Sequence, residues 1–191
     1  WIGSWEEGLF RVKADGTIEN FKYNAKDTHS LSSNFVRACC EDNLGNIWIG
    51  TFNGLNRYNK ITGLFQNHTA NDTQADGLTH SSIWCIVKDN QGTLWLGTYF
   101  GGVNYFNPEY EIYTRYSYSS NEKKGLSNPV VGRTIEDKDD NLWIGTEGGG
   151  LNYYNRRTRE FKWYRPQEGR NSISHNNVKA LYMMPIKKLY G

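Results

Sequence analysis

Apolar positions in this chain come in short runs separated by clusters of Asp, Asn and Gly. In the stretch 31–77 the runs lie at 36–41, 47–52, 55–59 and 65–68. The first alternates apolar and polar positions, as a pleated strand packed on its neighbours requires. The breaks are built from Asp42, Asn43, Gly45 and Asn46, then Asn53 and Gly54, then Thr62 and Gly63. Asp and Asn suit turns because their side chains bond the backbone two residues on, and Gly tolerates positive φ. The pattern predicts four strands per unit joined by tight turns. No segment combines helical periodicity with caps at both ends, so no helix is expected.

The same pattern returns at a nearly fixed interval. Trp1-Ile2-Gly3-Ser4, Trp48-Ile49-Gly50-Thr51, Trp95-Leu96-Gly97-Thr98 and Trp143-Ile144-Gly145-Thr146 are separated by 47, 47 and 48 residues, and a further 47 reaches Tyr190. Other columns keep this register: Leu31, Leu78, Leu126 and Ile173, each followed by Ser or Thr; Val36, Ile83, Val131 and Val178; Asp42, Asp89 and Asp137; and Gly8, Gly54, Gly102 and Gly150. A period in the forties with turn-rich, aromatic-rich units predicts an all-β fold, a β-propeller with four antiparallel strands per blade. Blade 2 is expected over 31–77, blade 3 over 78–125 and blade 4 over 126–177, with blade 1 in 1–30. Residues two apart on a strand share a face, so Trp48 and Gly50 point the same way. An indole beside bare backbone is what close blade-on-blade packing needs.

The chain begins on the aromatic of one repeat and stops just past the equivalent position of another, as a segment of something larger would. Three arrangements are open. Residues 178–191 close a four-bladed ring by supplying the inner strand that blade 1 lacks; or the repeats are a window from a larger ring; or two chains pair as a homodimer. Open strand edges in the second case invite association.

Composition narrows the chemistry. Of 191 residues 15% are aromatic and 20 are Gly, consistent with a β core resting on Trp and Tyr. The net charge of +2, with signs interspersed, offers no basic face for nucleic acid. No apolar stretch reaches membrane-spanning length. Cys39, Cys40 and Cys85 lie on expected inner strands; an odd count without metal spacing points to buried packing, with a Cys40–Cys85 disulfide open in an oxidising compartment. His29, His68, His80 and His175 show no ligand spacing. The run Asp137 to Asn141 opens like a calcium loop, but Leu142 stands at the glycine position and Gly148 where a bidentate Glu belongs, so it is a hairpin turn. Glu147 to Gly150 opens no helix and is likewise a turn and not a phosphate cradle. No metal and no cofactor are expected.

The pattern Leu-Ser-x-Asn-x-Val, then Asp-Asn-x-Gly-x-Leu/Ile-Trp-Ile-Gly-Thr, then Gly-Gly-Leu-Asn-x-Tyr-Asn resembles the two-component regulator propeller repeat. Residues 31–59 and 126–155 carry it best. Pro129 departs from it where Asn34 and Asn176 stand, and residues 184–187 lack the Asp-Asn turn. In that family such repeats form extracytoplasmic sensors of membrane-spanning histidine kinases, including the hybrid systems by which Bacteroides-type gut bacteria detect polysaccharide fragments. The resemblance implies a periplasmic ligand-sensing region, non-catalytic itself, with further domains of the parent chain beyond residue 191.

A ligand would sit where the loops after the outermost strand and the hairpins between the second and third strands converge on the central channel. The hairpins carry Trp5 with Glu6, Phe52 with Asn53, Tyr99 with Phe100, and Glu147. Aromatic faces beside amides and carboxylates suit oligosaccharides. Arg37, Trp84, Arg133 and Lys179 break the apolar pattern of the inner strands and are candidates to line the channel and hold an acidic sugar. Three functions fit: a sensor module, a secreted polysaccharide lyase or glycosidase using Glu6 and Glu147, or a protein-interaction propeller. Glycan turnover would mark the second; stabilisation by ligand without turnover would mark the first.

Overall fold

The computed structural model describes residues 1–70 and 77–184. Each repeat forms one antiparallel sheet. The first has three strands, β1 (Ile2–Gly3), β2 (Leu9–Val12) and β3 (Ile18–Phe21). The second has β4 (Val36–Glu41), β5 (Ile47–Thr51), β6 (Gly54–Tyr58) and β7 (Phe65–His68). The third has β8 (Ile83–Lys88), β9 (Leu94–Thr98), β10 (Val103–Asn107) and β11 (Ile112–Tyr116). The fourth has β12 (Val131–Glu136), β13 (Leu142–Thr146), β14 (Leu151–Asn155) and β15 (Glu160–Tyr164). Within each sheet the strands follow in chain order, and the inner strands β4, β8 and β12 stand side by side. These are propeller blades. Among the described residues the one helical element is a 3-10 turn at Glu122–Lys124, capped by the Asn121 side chain.

Two strands of the second blade end a residue earlier than their apolar runs. Phe52 turns out of β5 into the hairpin that Gly54 closes, and Asn59 leaves β6 because its Oδ1 accepts the N–H groups of Ile61 and Thr62 at 2.8 and 3.1 Å.

Each conserved-looking column of the repeat has a mechanical job. The Ser/Thr after the Trp-x-Gly step bonds the carbonyl across its hairpin: Ser4 to Gly8, Thr51 to Gly54, Thr98 to Gly102 and Thr146 to Gly150, at 2.9–3.0 Å. A fully buried Asn on the third strand of each four-stranded blade ties down the loop that leads into that blade. Asn56 accepts from the Ser32 N–H and donates to its hydroxyl; Asn104 does so with Thr79, and Asn152 with Ser127. Both ends of the amide are thereby satisfied where water cannot reach, which keeps its burial from costing stability.

The glycine of Trp-x-Gly is a socket. A Cβ on Gly3 would lie 2.6 Å from Val36 Cγ1, one on Gly50 2.7 Å from Ile83 Cγ2, and one on Gly97 2.7 Å from Val131 Cγ1. In every case the intruder is the first residue of the next blade's inner strand, so the missing side chain lets the sheets close to core density. The indole beside each socket packs onto the next blade as well: Trp48 against Phe106 at 5.0 Å between ring centroids, and Trp95 against Tyr154 at 6.0 Å. Both tryptophans are buried, which contributes roughly 1.5–3 kcal/mol apiece.

Gly145 continues the series with Val178, whose Cγ1 would lie 2.9 Å from the added atom and whose N–H donates to Thr146 O at 2.9 Å. Residues 178–184 thus start where the next inner strand belongs. Among the described residues no ladder joins them to β1. Trp143 is only half buried, with its ring contacts to Tyr153 and Tyr164 of its own blade. A cavity of about 710 Å³ lies between Trp143, Ile135 and the segment from Leu181 to Met184. Tyr190, the next aromatic of the repeat, lies outside the described residues.

The cysteines are free. Cys85 is buried with its Sγ 3.8 Å from Thr134 Oγ1 in the fourth blade, whereas Cys40 packs in the cluster around Trp48 and Ile86 between the second and third. The Asp137 run is a turn: Oδ1 accepts from the N–H groups of Asp139 and Asn141, both at 2.9 Å.

Candidate functional site

Each complete inner strand carries a β-bulge immediately after its first residue. The register jumps between Val36 and Ala38, between Ile83 and Cys85, and between Val131 and Arg133. The residues left over are Arg37, Trp84 and Gly132. A bulge bends the strand and re-aims the extra side chain, and here it brings Arg37 and Trp84 against the hairpin residues Trp5, Phe52 and Tyr99.

The two side chains link three blades. The Arg37 guanidinium stacks on Trp84 with its Cζ 3.9 Å from the ring centroid. Trp5 from the first blade's hairpin and Phe52 from the second flank the same group at 4.9 and 5.6 Å. Trp84 in turn stacks on Tyr99 at 5.5 Å with planes 16° apart, and Tyr99 meets Phe100 edge-on at 4.4 Å. Phe35 fills the space between Trp5 and Phe52. The result is a continuous aromatic strip. Its outer members are open to solvent, with Trp5 60%, Phe52 53% and Phe100 56% exposed.

Charge is distributed unevenly along the strip. Burial lowers the Arg37 pKa from its ordinary value, partly offset by Tyr99. Its Nε and Nη1, and the Trp84 Nε1, are buried without a hydrogen-bond partner. Apart from the strip, Glu147 of the fourth blade is ion-paired with Lys179 at 3.3 Å.

Of the residues singled out from sequence, Trp5, Arg37, Phe52, Trp84, Tyr99 and Phe100 come together. Glu147 and Lys179 form a pair of their own. Glu6 and Asn53 are exposed on the hairpins beside the strip. Arg133 stands elsewhere: it pairs with Gly145 in the ladder as Ala38 pairs with Gly50, and the channel column of the fourth blade is Gly132. A side chain on Gly132 would run into the Val178 carbonyl at 2.9 Å. Phe35 was missed from sequence; its position directly before an inner strand, facing the hairpin, is the signal that finds it.

A second aromatic recess opens between the outer strands of the third and fourth blades. It holds about 520 Å³ and is lined by Trp95, Tyr105, Tyr116 and Tyr154 with Arg156 and Arg159 at its rim. Arg156 is committed to structure there, paired with Asp89 at 3.2 Å and Glu136 at 3.0 Å.

A family model for the two-component regulator propeller matches residues 30–53, 77–100 and 125–148. These are two-component regulator propeller repeats. Each match runs from the Leu-Ser/Thr step through the inner strand to the hairpin, so the matched regulator-propeller segments include Arg37, Phe52, Trp84, Tyr99 and Phe100 along with the packing columns. No curated protein matches the sequence. Among solved structures, the extracellular domain of a protein described as a hybrid two component system of B. thetaiotaomicron is 20% identical, covering 95% of this chain and 29% of its own, with a TM-score of 0.52. Virginiamycin B lyase from Staphylococcus aureus is 13% identical over 85% of this chain and 50% of its own, with a TM-score of 0.60. The chain therefore spans half or less of the structures it resembles, and the likeness is one of fold. No helix among the described residues is long and apolar enough to cross a membrane.

Proposed function

We propose that this chain is a non-catalytic sensing segment of a two-component histidine kinase, lying in the periplasm and recognising an oligosaccharide at the channel mouth. The observation that carries this is the solvent-open aromatic strip from Trp5 to Phe100, assembled from three blades. Soluble proteins leave such contiguous apolar surface open chiefly where something binds, and flat rings suit the C–H faces of sugars while nearby amides and charges take the hydroxyls. Because the strip draws side chains from separate blades, a ligand lying along it would bind best to one relative arrangement of those blades. That differential affinity is what a conformational signal requires. The family of the repeats supports the sensory role.

Thermal-shift screening against purified oligosaccharides tests this. A bound ligand at about a hundred times its Kd stabilises by roughly 2.7 kcal/mol, and the shift is expected to disappear in Trp5→Ala and Phe100→Ala without any consumption of the sugar. Sugar cleavage that is lost in Glu6→Gln or Glu147→Gln would instead establish a lyase or glycosidase and overturn the sensor assignment.

A further inference from the structure

Among the described residues five arginines stand over tryptophan rings, and three of them are answered by a carboxylate. Arg11 over Trp1 pairs with Glu19 at 3.6 Å. Arg57 over Trp48 pairs with Glu111 at 3.2 Å. Arg156 over Trp95 pairs with Asp89 and Glu136. Arg165, over Trp163, donates to the Gly149 carbonyl at 3.4 Å. Arg37 is the exception: it lies closer to its ring than any of these, and among the described residues no carboxylate is within ion-pairing distance of it and its Nε and Nη1 have no acceptor.

What surrounds Arg37 makes the exception informative. Nε and Nη1 of Arg37 and Nε1 of Trp84 are all donors, and none is used. A buried donor left without an acceptor is unfavourable, and stacking on aromatic faces offsets part of that for a desolvated cation. The cage holds the cation in place but does not satisfy its hydrogen bonds. Three buried donors with no acceptor call for an acceptor-rich partner, and a guanidinium group suits the oxygens of a carboxylate or sulfate. Trp5 and Phe52, both more than half exposed, form the solvent side of the cage. Among the described residues, Arg37 is the one charged side chain in the ring contacts that make up the strip.

We infer that Arg37, assisted by Trp84 Nε1, is an anion-recognition point, and that the ligand is an acidic oligosaccharide carrying a carboxylate or a sulfate ester. This rests on the oligosaccharide reading of the strip and adds its chemical class: the sugar ring lies on the exposed aromatics and its anionic group enters the cage.

The test is binding to an array of acidic and neutral glycans, followed by titration calorimetry on matched pairs. Oligogalacturonates against their neutral methyl esters report a carboxylate; sulfated galactans against their desulfated forms report a sulfate. Binding is expected from acidic members only, with Arg37→Gln lowering affinity by about tenfold or more, Arg37→Lys recovering part of it, and Trp84→Phe, which keeps the ring and loses the N–H, lowering it several-fold. Equal binding of acidic and neutral partners, unchanged in Arg37→Gln, overturns the anion assignment and leaves the oligosaccharide sensor standing. A lower melting temperature in Arg37→Gln with an unchanged acidic-to-neutral affinity ratio makes Arg37 a packing residue and overturns it also. No binding to any glycan, acidic or neutral, overturns both.

Discussion

The indole N–H of Trp48 donates to Oδ2 of Asp42 at 2.8 Å, across the turn that separates them. The relationship repeats for Trp95 with Asp89 at 2.9 Å and Trp143 with Asp137 at 3.2 Å. The Asp column therefore does two things at once. One oxygen organises the hairpin turn through backbone N–H groups, and the other holds the blade-packing indole in place.

Removing the carboxylate strands a buried indole donor and loosens the turn together. Asp42→Ala is expected to destabilise by about 2–4 kcal/mol in urea unfolding, because several charge-assisted hydrogen bonds are lost. Asp137→Ala costs less, since Trp143 is partly solvated and water replaces the lost acceptor.

The same group gives the fold an acid limit. Burial disfavours the charged form of Asp42, but hydrogen bonds from Asn46 and Trp48 side chains and from the Asn46 and Leu44 N–H groups outweigh it and hold the pKa below the usual value. Its contribution is complete above the unfolded-state pKa of about 3.9 and is lost as pH falls through the lower folded value. Unfolding free energy measured from about pH 6 down to about pH 2.5 falls in the wild type and falls less steeply in Asp42→Asn.

The socket glycines bear on stability through sterics. Gly97→Ala puts a methyl group 2.6 Å from Cys85 Sγ and 2.7 Å from Val131 Cγ1, between blades that cannot part without losing core contacts. A loss of about 1–3 kcal/mol is expected. Gly16, at a hairpin tip with nothing within 4 Å of an added Cβ, is the control for sterics; its positive φ alone makes Gly16→Ala cost about 1 kcal/mol.

Asn152 and Ser127 are coupled, and a double-mutant cycle reads the coupling directly. Asn152→Ala leaves the Ser127 N–H and hydroxyl without partners in a buried loop, at about 2–3 kcal/mol. Ser127→Ala removes one bond only and costs about 1 kcal/mol. The interaction energy in the cycle is expected at about 0.5–2 kcal/mol, and additive losses would show that the two act independently.

Thiol labelling separates the three cysteines. Cys39 is exposed, Cys40 is half buried with its thiol pushed up to about 12 by burial and by Cys39 beside it, and Cys85 is fully buried. Since the thiolate is the reactive form, one equivalent of a disulfide reagent is expected to react in the folded protein and three after denaturation. Rapid reaction of more than one thiol in the folded state contradicts this.

Sequence carried much of this because the relevant pairs sit at fixed spacing on single strands. Trp48 and Gly50 are two residues apart, so their shared face follows from the pleat alone. The Asn–Ser clamp joins residues 24 or 25 apart, and only the folded path brings Asn56 to Ser32. The second role of Asp42 was hidden behind its adequacy as a turn residue. Arg133 drew attention by its charge, yet Gly132 stands eleven residues before its tryptophan as Arg37 and Trp84 do before theirs. The spacing held the register of the bulge, and the chemistry of the side chain obscured it. Pro129 looked like a departure where the repeat has Asn, but the bond common to the column is made by the carbonyl, which accepts from Gly102 N–H as those of Asn34 and Asn176 do from Gly8 and Gly150; Asn34 Oδ1 additionally accepts from Tyr23 N–H at 2.7 Å. Stacking of Arg37 on the following blade's Trp84 depends on the angle between blades, which no spacing encodes.

The socket and its plug have an evolutionary corollary. Each joint is made by the glycine of one repeat and the inner-strand Val or Ile that opens the next, so the two halves of a joint always lie on opposite sides of a repeat boundary. Duplicating or deleting one whole period, wherever the cut falls, regenerates a glycine facing a β-branched residue at the new seam. Recombination can therefore lengthen or shorten the array without inventing any new socket, and what must be re-tuned are contacts particular to certain blades, such as the arginine cage that joins the first three.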